Sequence, residues 1–316
     1  MKKIKVRIII LIIILVSVMA VIYINKSRNI AKTKATVTSN SDLTFAVLGD
    51  VHGNIDSFQE SINDLHAINT GMNALVLNGD TVDQGKEEQY DSVKQALNKN
   101  KDLLPDTIIK NIGNHEFFDY DAGTNSPEQV QTFINRYLEF SGEEKVYHDT
   151  WVKDYHFISL GSEDGNSETL DSVTASIPED QQKWLKEKLA EKYQKGKPIF
   201  VFMHEPFDYG NSDRLALKQS EQVRAILSQY PEVILFTSHT HRDLDESSVV
   251  LNQPFTMIHT GAIHYTFIPD ASSEGGRRRE SYIKGLYIEV NGNNVVVNGR
   301  NIKEKQWIFT KEVSKE

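Results

Sequence analysis

From Leu43 onward, the chain alternates short, strongly apolar runs with longer segments of helical period. The runs at Leu43–Leu48, Ala74–Leu77, Thr107–Ile112, Tyr155–Leu160, Ile199–Met203, Val233–Thr237 and Thr256–His259 predict strands. Between them, Ser57–Ile68, Glu87–Asn98, Pro127–Phe140, Pro178–Tyr193 and Gln219–Gln229 predict helices. In the fourth of these, Pro178 suits a first turn, Glu179 and Asp180 favour the positive end of the helix dipole, and Trp184, Leu185 and Leu189 form an apolar stripe. Several strands are nearly all apolar, which requires sheets covered on both faces. Near the end, Gly285–Val290 and Val295–Asn298 flank Asn291-Gly292-Asn293-Asn294 and predict a hairpin. The alternation is that of an α/β domain over residues 43–316.

A different pattern precedes it. Residues 1–7 are basic, and Ile8–Ile24 is apolar except for Ser17. At about 1.5 Å per residue the run spans about 25 Å, enough to cross a bilayer as one transmembrane helix. Four basic residues before it predict a cytoplasmic N-terminus and an exported body, an orientation weakened by the Lys26–Lys34 cluster beyond it. The alternative is a signal peptide cleaved near Val18-Met19-Ala20, leaving a secreted protein. Residues 25–42, with a Thr- and Ser-rich stretch at Thr33–Asp42, read as a tether.

Composition narrows the chemistry. The 316 residues include no cysteine, which excludes disulfides, thiolate metal sites, thiol nucleophiles and an acylated lipoprotein anchor. Eight basic residues and no acid lie before residue 35, so a chain of net charge −9 carries −17 on residues 35–316. An acidic body lacks the basic face of a general nucleic-acid binder and suits cation binding.

The predicted strands end on the same few residue types. Leu43–Leu48 runs into Gly49-Asp50-Val51-His52-Gly53, and Ala74–Leu77 into Asn78-Gly79-Asp80 with Asp83 beyond. Thr107–Ile112 runs into Gly113-Asn114-His115-Glu116, Ile199–Met203 into His204, and Val233–Thr237 into Ser238-His239-Thr240-His241. Five strands thus stop at Asp, Asn or His, and in α/β sheets the site lies beyond the carboxyl ends of the strands. Neutral imidazoles mixed with carboxylates suit Mn²⁺, Fe or Zn²⁺, whereas an all-oxygen Mg²⁺ or Ca²⁺ site would not recruit histidines.

These blocks closely resemble the calcineurin-like metallophosphoesterase superfamily: Asp50-x-His52, Gly79-Asp80-x-x-Asp83, Gly113-Asn114-His115-Glu116, His204 and His239-x-His241, in the family's order over residues 43–264. The resemblance implies a four-layer α/β/β/α sandwich of two mixed sheets. It further implies that Asp50, His52 and His241 hold one divalent metal ion, that Asn114, His204 and His239 hold a second, and that Asp80 bridges them. Two Mn²⁺ ions, or Fe or Zn²⁺, would then activate a shared hydroxide against a phosphate monoester or diester, small or lipid-linked. By the same resemblance His115 is not a ligand but donates a proton to the leaving oxygen or steadies the transition state. Asp83 and Glu116 are candidates for orienting the histidines, or for plain cap and loop roles.

Three departures matter. Ser238 replaces the family's glycine, a change of small expected effect. Gln84-Gly85 stands where Ser/Thr protein phosphatases carry Arg-Gly, and an amide cannot grip phosphate bidentately, which counts against that activity. Asp83 stands where purple acid phosphatases place a tyrosine ligand. The other histidines carry less. His66, His148 and His156 read as structural, His259 and His264 as structural or pocket-lining, and Arg277-Arg278-Arg279 as a solvated loop or a phosphate contact. A tethered metal-binding scaffold without turnover is the alternative reading, and the presence of His115 weighs against it.

Overall fold

Alternation along one strand sets the layering. Leu43, Phe45 and Val47 enter one apolar cluster while Ala46 and Leu48 enter another, because successive side chains point to opposite faces. The computed structural model describes residues 41–208 and 216–313. The apolar run at 8–24 and nearly all of the tether lie outside the described residues, and among the described residues no helix is long and apolar enough to cross a membrane.

The strands are β1 (Leu43–Leu48), β2 (Ala74–Asn78), β3 (Thr107–Asn111), β4 (His148–Val152), β5 (Tyr155–Ser159), β6 (Ile199–Phe202), β7 (Val233–Thr237), β8 (Val249–Val250), β9 (Thr256–His259), β10 (Thr266–Pro269), β11 (Arg277–Glu280), β12 (Lys284–Asn291), β13 (Asn294–Asn301) and β14 (Gln306–Val313). They form two six-stranded mixed sheets, in the orders β14-β13-β12-β1-β2-β3 and β4-β5-β6-β7-β9-β8, and a two-stranded ribbon β10-β11. β1, β2 and β3 run parallel in the first sheet, as do β5, β6, β7 and β9 in the second, so within each set the carboxyl ends share one edge.

The sheets meet through a cluster that includes Phe45, Phe157, Phe200, Phe202 and Phe236. Phe45 lies edge-on to Phe157 and Phe200 at 5.0 and 4.9 Å, a favourable aromatic geometry. Helices α1 (Ile55–Ile68), α2 (Glu87–Lys99) and α3 (Pro127–Ser141) cover the outer face of the first sheet, and α4 (Glu179–Ala190) and α5 (Ser220–Leu227) that of the second. The result is an α/β fold of two mixed sheets flanked by helices. Residues 37–316 form one compact unit that contains all three apolar clusters, so its core closes without the preceding residues.

Differences from the sequence reading concentrate at edges. β4, β8 and β14 terminate sheets; half-solvated strands such as Gln306–Val313 need no continuous apolar run and so gave no signal. The hairpin is tighter than the sequence predicts, with only Gly292 and Asn293 between β12 and β13. Arg277–Arg279 is a strand rather than a loop, paired antiparallel with β10.

Candidate metal centre

Five chain segments deliver the candidate residues to the shared edge. β1 leads to Asp50 and His52, β2 to Asp80, β3 to Asn114 and His115, β6 to His204, and β7 to His239 and His241. The loops are stitched to one another: Asp50 N–H donates to the Gly79 carbonyl at 3.2 Å, His52 N–H to Asp80 at 2.8 Å, and Ser238 N–H to His204 at 2.8 Å. Asp50, His52, Asp80, His239 and His241 all adopt left-handed backbone, φ between 49° and 70°. Such conformations cost free energy for non-glycine residues and persist where the surroundings over-determine them. The packing leaves no room for side chains at two glycines. A Cβ on Gly79 would sit 2.4 Å from His204 Nδ1, and one on Gly113 would sit 2.4 Å from Asp80 Oδ1.

The donor atoms converge. Those of Asp50, His52 and His241 lie within 4.8 Å of one another, as do those of Asp80, His204 and His239. His52 Nε2 stands 3.0 Å from His241 Nε2, and Asp80 Oδ2 stands 3.1 Å from His204 Nε2 and 3.6 Å from His52 Nε2, facing both groups. Asn114 Oδ1 approaches His239 Nδ1 at 2.8 Å, its amide nitrogen committed to the Ser172 carbonyl at 2.9 Å. All seven predicted ligands therefore meet at one place, buried except for half-buried His239.

The second nitrogen of each ring explains what the cluster can hold. His204 Nδ1–H donates to the Asn78 carbonyl at 2.8 Å, His241 Nδ1–H to the Tyr265 carbonyl at 2.8 Å, and His52 Nδ1–H to Asp83 Oδ1 at 3.3 Å. A carbonyl or carboxylate can only accept, so each neutral ring presents an Nε2 lone pair to the centre. His204 Nε2 is buried without a hydrogen bond. Three lone pairs facing two carboxylates are all acceptors, an arrangement that calls for cations. The electrostatics agree. Burial opposes the charge on Asp50, yet His241 and His204 hold its carboxyl down at about 2. Burial likewise opposes charge on His204, but Asp80 and Asp50 push that imidazole well above its ordinary value, so the centre attracts positive charge and a proton competes with a metal ion for that lone pair. The buried histidine and aspartate clusters are consistent with a dinuclear metal site.

His115 sits against this cluster, its ring 4.3 Å from that of His52. Its Nδ1–H donates to the Asp83 carbonyl at 2.9 Å and its N–H to Asp80 Oδ1 at 2.8 Å. Burial works against the imidazolium, but Asp80 and Asp83 outweigh it and push the group up to about 9. Donor atoms of His52, Asp80 and His115 also lie within 4.8 Å of one another.

The two flanking acids behave differently. Asp83 touches the rings of His52 and His115 at 3.3 and 3.4 Å, the orienting role open to it from sequence. Glu116 orients no histidine. Its buried carboxylate accepts N–H from Gly113 at 2.7 Å, Thr81 at 2.8 Å, Asp80 at 3.0 Å and Val82 at 3.4 Å, fastening the Asp80 loop to the Asn114 loop. Gln84 spends its amide oxygen on the Tyr120 N–H at 2.8 Å. Ser238 is buried in a polar chain, accepting from Asn78 Nδ2 at 3.0 Å and meeting Thr260 Oγ1 at 2.7 Å. Asn54 caps α1 through the Ser57 N–H. His66, His148 and His156 lie outside the cluster with structural partners, Leu103 O, Lys110 O and Asp149.

Residues that sequence reasoning missed include Tyr265 and Tyr120. Tyr265 stacks on His241 at 4.0 Å and carries Arg279 on its ring at 4.3 Å. Tyr120 donates its hydroxyl to Asp83 Oδ1 at 3.1 Å.

Comparison with known proteins places this geometry. A dimetal phosphatase from Danio rerio is 14% identical with a TM-score of 0.58, covering 88% of this chain and 100% of that one. The purple acid phosphatase PPD1 from yellow lupin (Lupinus luteus) seeds is 12% identical with a TM-score of 0.58, covering 87% of this chain and 54% of that one. GAP50, the anchor in the inner membrane complex of Plasmodium, is 13% identical with a TM-score of 0.53, covering 87% and 89%. At these identities the likeness is one of fold. No curated protein sequence matches the chain. The calcineurin-like phosphoesterase model matches residues 43–243, well over half of the chain and every candidate ligand. The chain belongs to the calcineurin-like phosphoesterase family.

Proposed function

We propose that the domain hydrolyses phosphate monoesters or diesters, with one divalent cation held by Asp50, His52 and His241, a second by Asn114, His204 and His239, and Asp80 shared. The convergence of three Nε2 lone pairs on two ionised carboxylates carries this reading. Bound there, a pair of divalent ions supplies Lewis acidity and a hydrolytic water deprotonated near neutral pH. The imidazoles favour Mn²⁺, Fe or Zn²⁺ over Mg²⁺ or Ca²⁺. His115, fixed through Nδ1 by the Asp83 carbonyl, turns Nε2 toward the substrate and gives the leaving oxygen its proton. Gln84, turned to the Tyr120 amide, offers no bidentate grip on phosphate, which favours small or lipid-linked esters over phosphoproteins.

The test uses residues 37–316, chelated and then supplied with Mn²⁺, Fe²⁺ or Zn²⁺, on p-nitrophenyl phosphate and bis(p-nitrophenyl) phosphate. Turnover is expected with at least one metal, and loss on chelation. The His115→Ala protein should turn over about 100-fold more slowly at unchanged metal content. Silence with every metal and both esters would leave a binding scaffold in place of an enzyme.

The same reading places the domain outside the cytoplasmic membrane, tethered through residues 8–24. What supports it is the apolar run behind a basic start. Because the chain lacks cysteine, a Lys195→Cys protein carries a single thiol in an exposed loop. A membrane-impermeant maleimide should label it on intact cells; labelling only after lysis would reverse the orientation.

A further inference from the structure

Beside the loop bearing His239 and His241 lies a cleft of about 740 Å³, a volume typical of small-molecule sites. None of the seven candidate ligands lines it. Its apolar lining includes Phe207, Leu235, Met257, Phe267 and Ile268, and its polar lining includes Thr240, Arg242 and Arg277.

The charges in that polar lining are unevenly committed. Each acid lining the cleft has a partner. Asp208 meets Arg224 at 3.5 Å, Asp243 pairs with Lys284, and Asp245, which feels the charge of Arg242, accepts from the Ser247 N–H at 2.7 Å and hydroxyl at 2.6 Å. Among the described residues, neither Arg242 nor Arg277 has a carboxylate within 4.0 Å. In a body of net charge −17, two arginines without acids facing one cavity is the opposite of what surface averaging gives. Arg277 is also held in place, its guanidinium 4.1 Å over the Phe267 ring, which leaves its N–H edge free.

Thr240 adds a third donor. The Gly261 N–H donates to His259 Nδ1 at 3.1 Å, so that nitrogen carries the lone pair and Nε2 carries the proton. His259 Nε2–H then donates to Thr240 Oγ1 at 2.7 Å, and the Arg242 N–H approaches the same oxygen at 3.4 Å. With its oxygen accepting twice, the Thr240 hydroxyl is left to donate. Two guanidiniums without a carboxylate partner and one donating hydroxyl therefore line a cavity that aromatic and aliphatic side chains also line.

We propose that this cleft is a binding site for an anionic amphiphile: its oxyanion is held by Arg242, Arg277 and the Thr240 hydroxyl, and its aryl or acyl body lies on Met257 and Ile268. The site stands on its own and does not require hydrolysis at the metal centre.

Calorimetry on chelated 37–316 protein tests it, since chelation removes metal-dependent anion binding at the neighbouring centre. Naphthalene-2-sulfonate should bind with 1:1 stoichiometry. Methanesulfonate, which lacks the apolar body, and 2-naphthol, which lacks the oxyanion, should each bind at least about tenfold more weakly. The Arg242→Gln/Arg277→Gln protein should lose about 10- to 100-fold in affinity for naphthalene-2-sulfonate at an unchanged melting temperature. Arg277→Gln alone, on the exposed ribbon, gives a smaller loss and guards against a folding defect in the double variant. Affinity within twofold of wild type in the double variant, or 2-naphthol binding as tightly as the sulfonate, would overturn the proposal.

Discussion

The Asp80→Asn protein is expected to fold normally and to lose at least about 10³-fold in kcat/KM on either aryl phosphate, a loss of several kcal/mol of transition-state stabilisation. The substitution is nearly isosteric, and the amide oxygen can still accept the His115 N–H that Asp80 Oδ1 accepts at 2.8 Å. The damage lies at Oδ2, which stands 3.1 Å from His204 Nε2 and 3.6 Å from His52 Nε2. An NH₂ group there donates into the lone pairs that face the centre and removes a carboxylate that stands between both groups of ligands. Metal content, measured by plasma emission, should fall from two ions per chain while circular dichroism stays the same. Full activity in this protein would refute a shared carboxylate.

Glu116→Ala, which leaves the ligands intact, is expected to cost at least about 3 kcal/mol of stability by chemical denaturation. Four buried N–H groups lose their acceptor together, and each unsatisfied buried donor costs about 1–3 kcal/mol. Burial pushes the Glu116 carboxyl up to about 7, which offsets part of its contribution, while the four donors favour the ionised form. Glu116→Gln separates acceptor from charge. One oxygen still serves Thr81, but an NH₂ group then opposes the Gly113 and Asp80 donors, so the loss should be intermediate. A loss under 1 kcal/mol in the alanine protein would mean that water replaces the carboxylate. Both proteins should also bind metal more weakly, since Glu116 holds the loops of Asp80 and Asn114 together.

Much of the centre was legible because strand ends carry side-chain chemistry. Asp50, Asp80, His204, His239 and His241 announce themselves as polar residues closing apolar runs, and the two-sheet core follows from Phe45, Phe200 and Phe236 on strands with both faces apolar. Of the groups that orient the ligands, Asp83 was legible and the rest were not. Asn78 and Tyr265 hold the rings of His204 and His241, and Ser172 the amide of Asn114, through backbone carbonyls, and a carbonyl leaves no trace in residue identity. Glu116 looked like a partner for histidine because its own partners, four backbone amides, are equally anonymous. The arginines of β11 read as a solvated loop because a charged edge ribbon has no apolar period. Its pairing with β10 and the Phe267 platform under Arg277 exist only in three dimensions.

The spread of the candidate ligands along the chain has a consequence for assembly. They run from Asp50 to His241 and come from both sheets, so no nascent segment short of residue 241 contains both groups. The interlocked loops, with five residues in left-handed backbone, exist only once the sandwich has closed. Loading would therefore follow folding, and the ions acquired would depend on the free-metal concentrations of the compartment where the chain completes its fold.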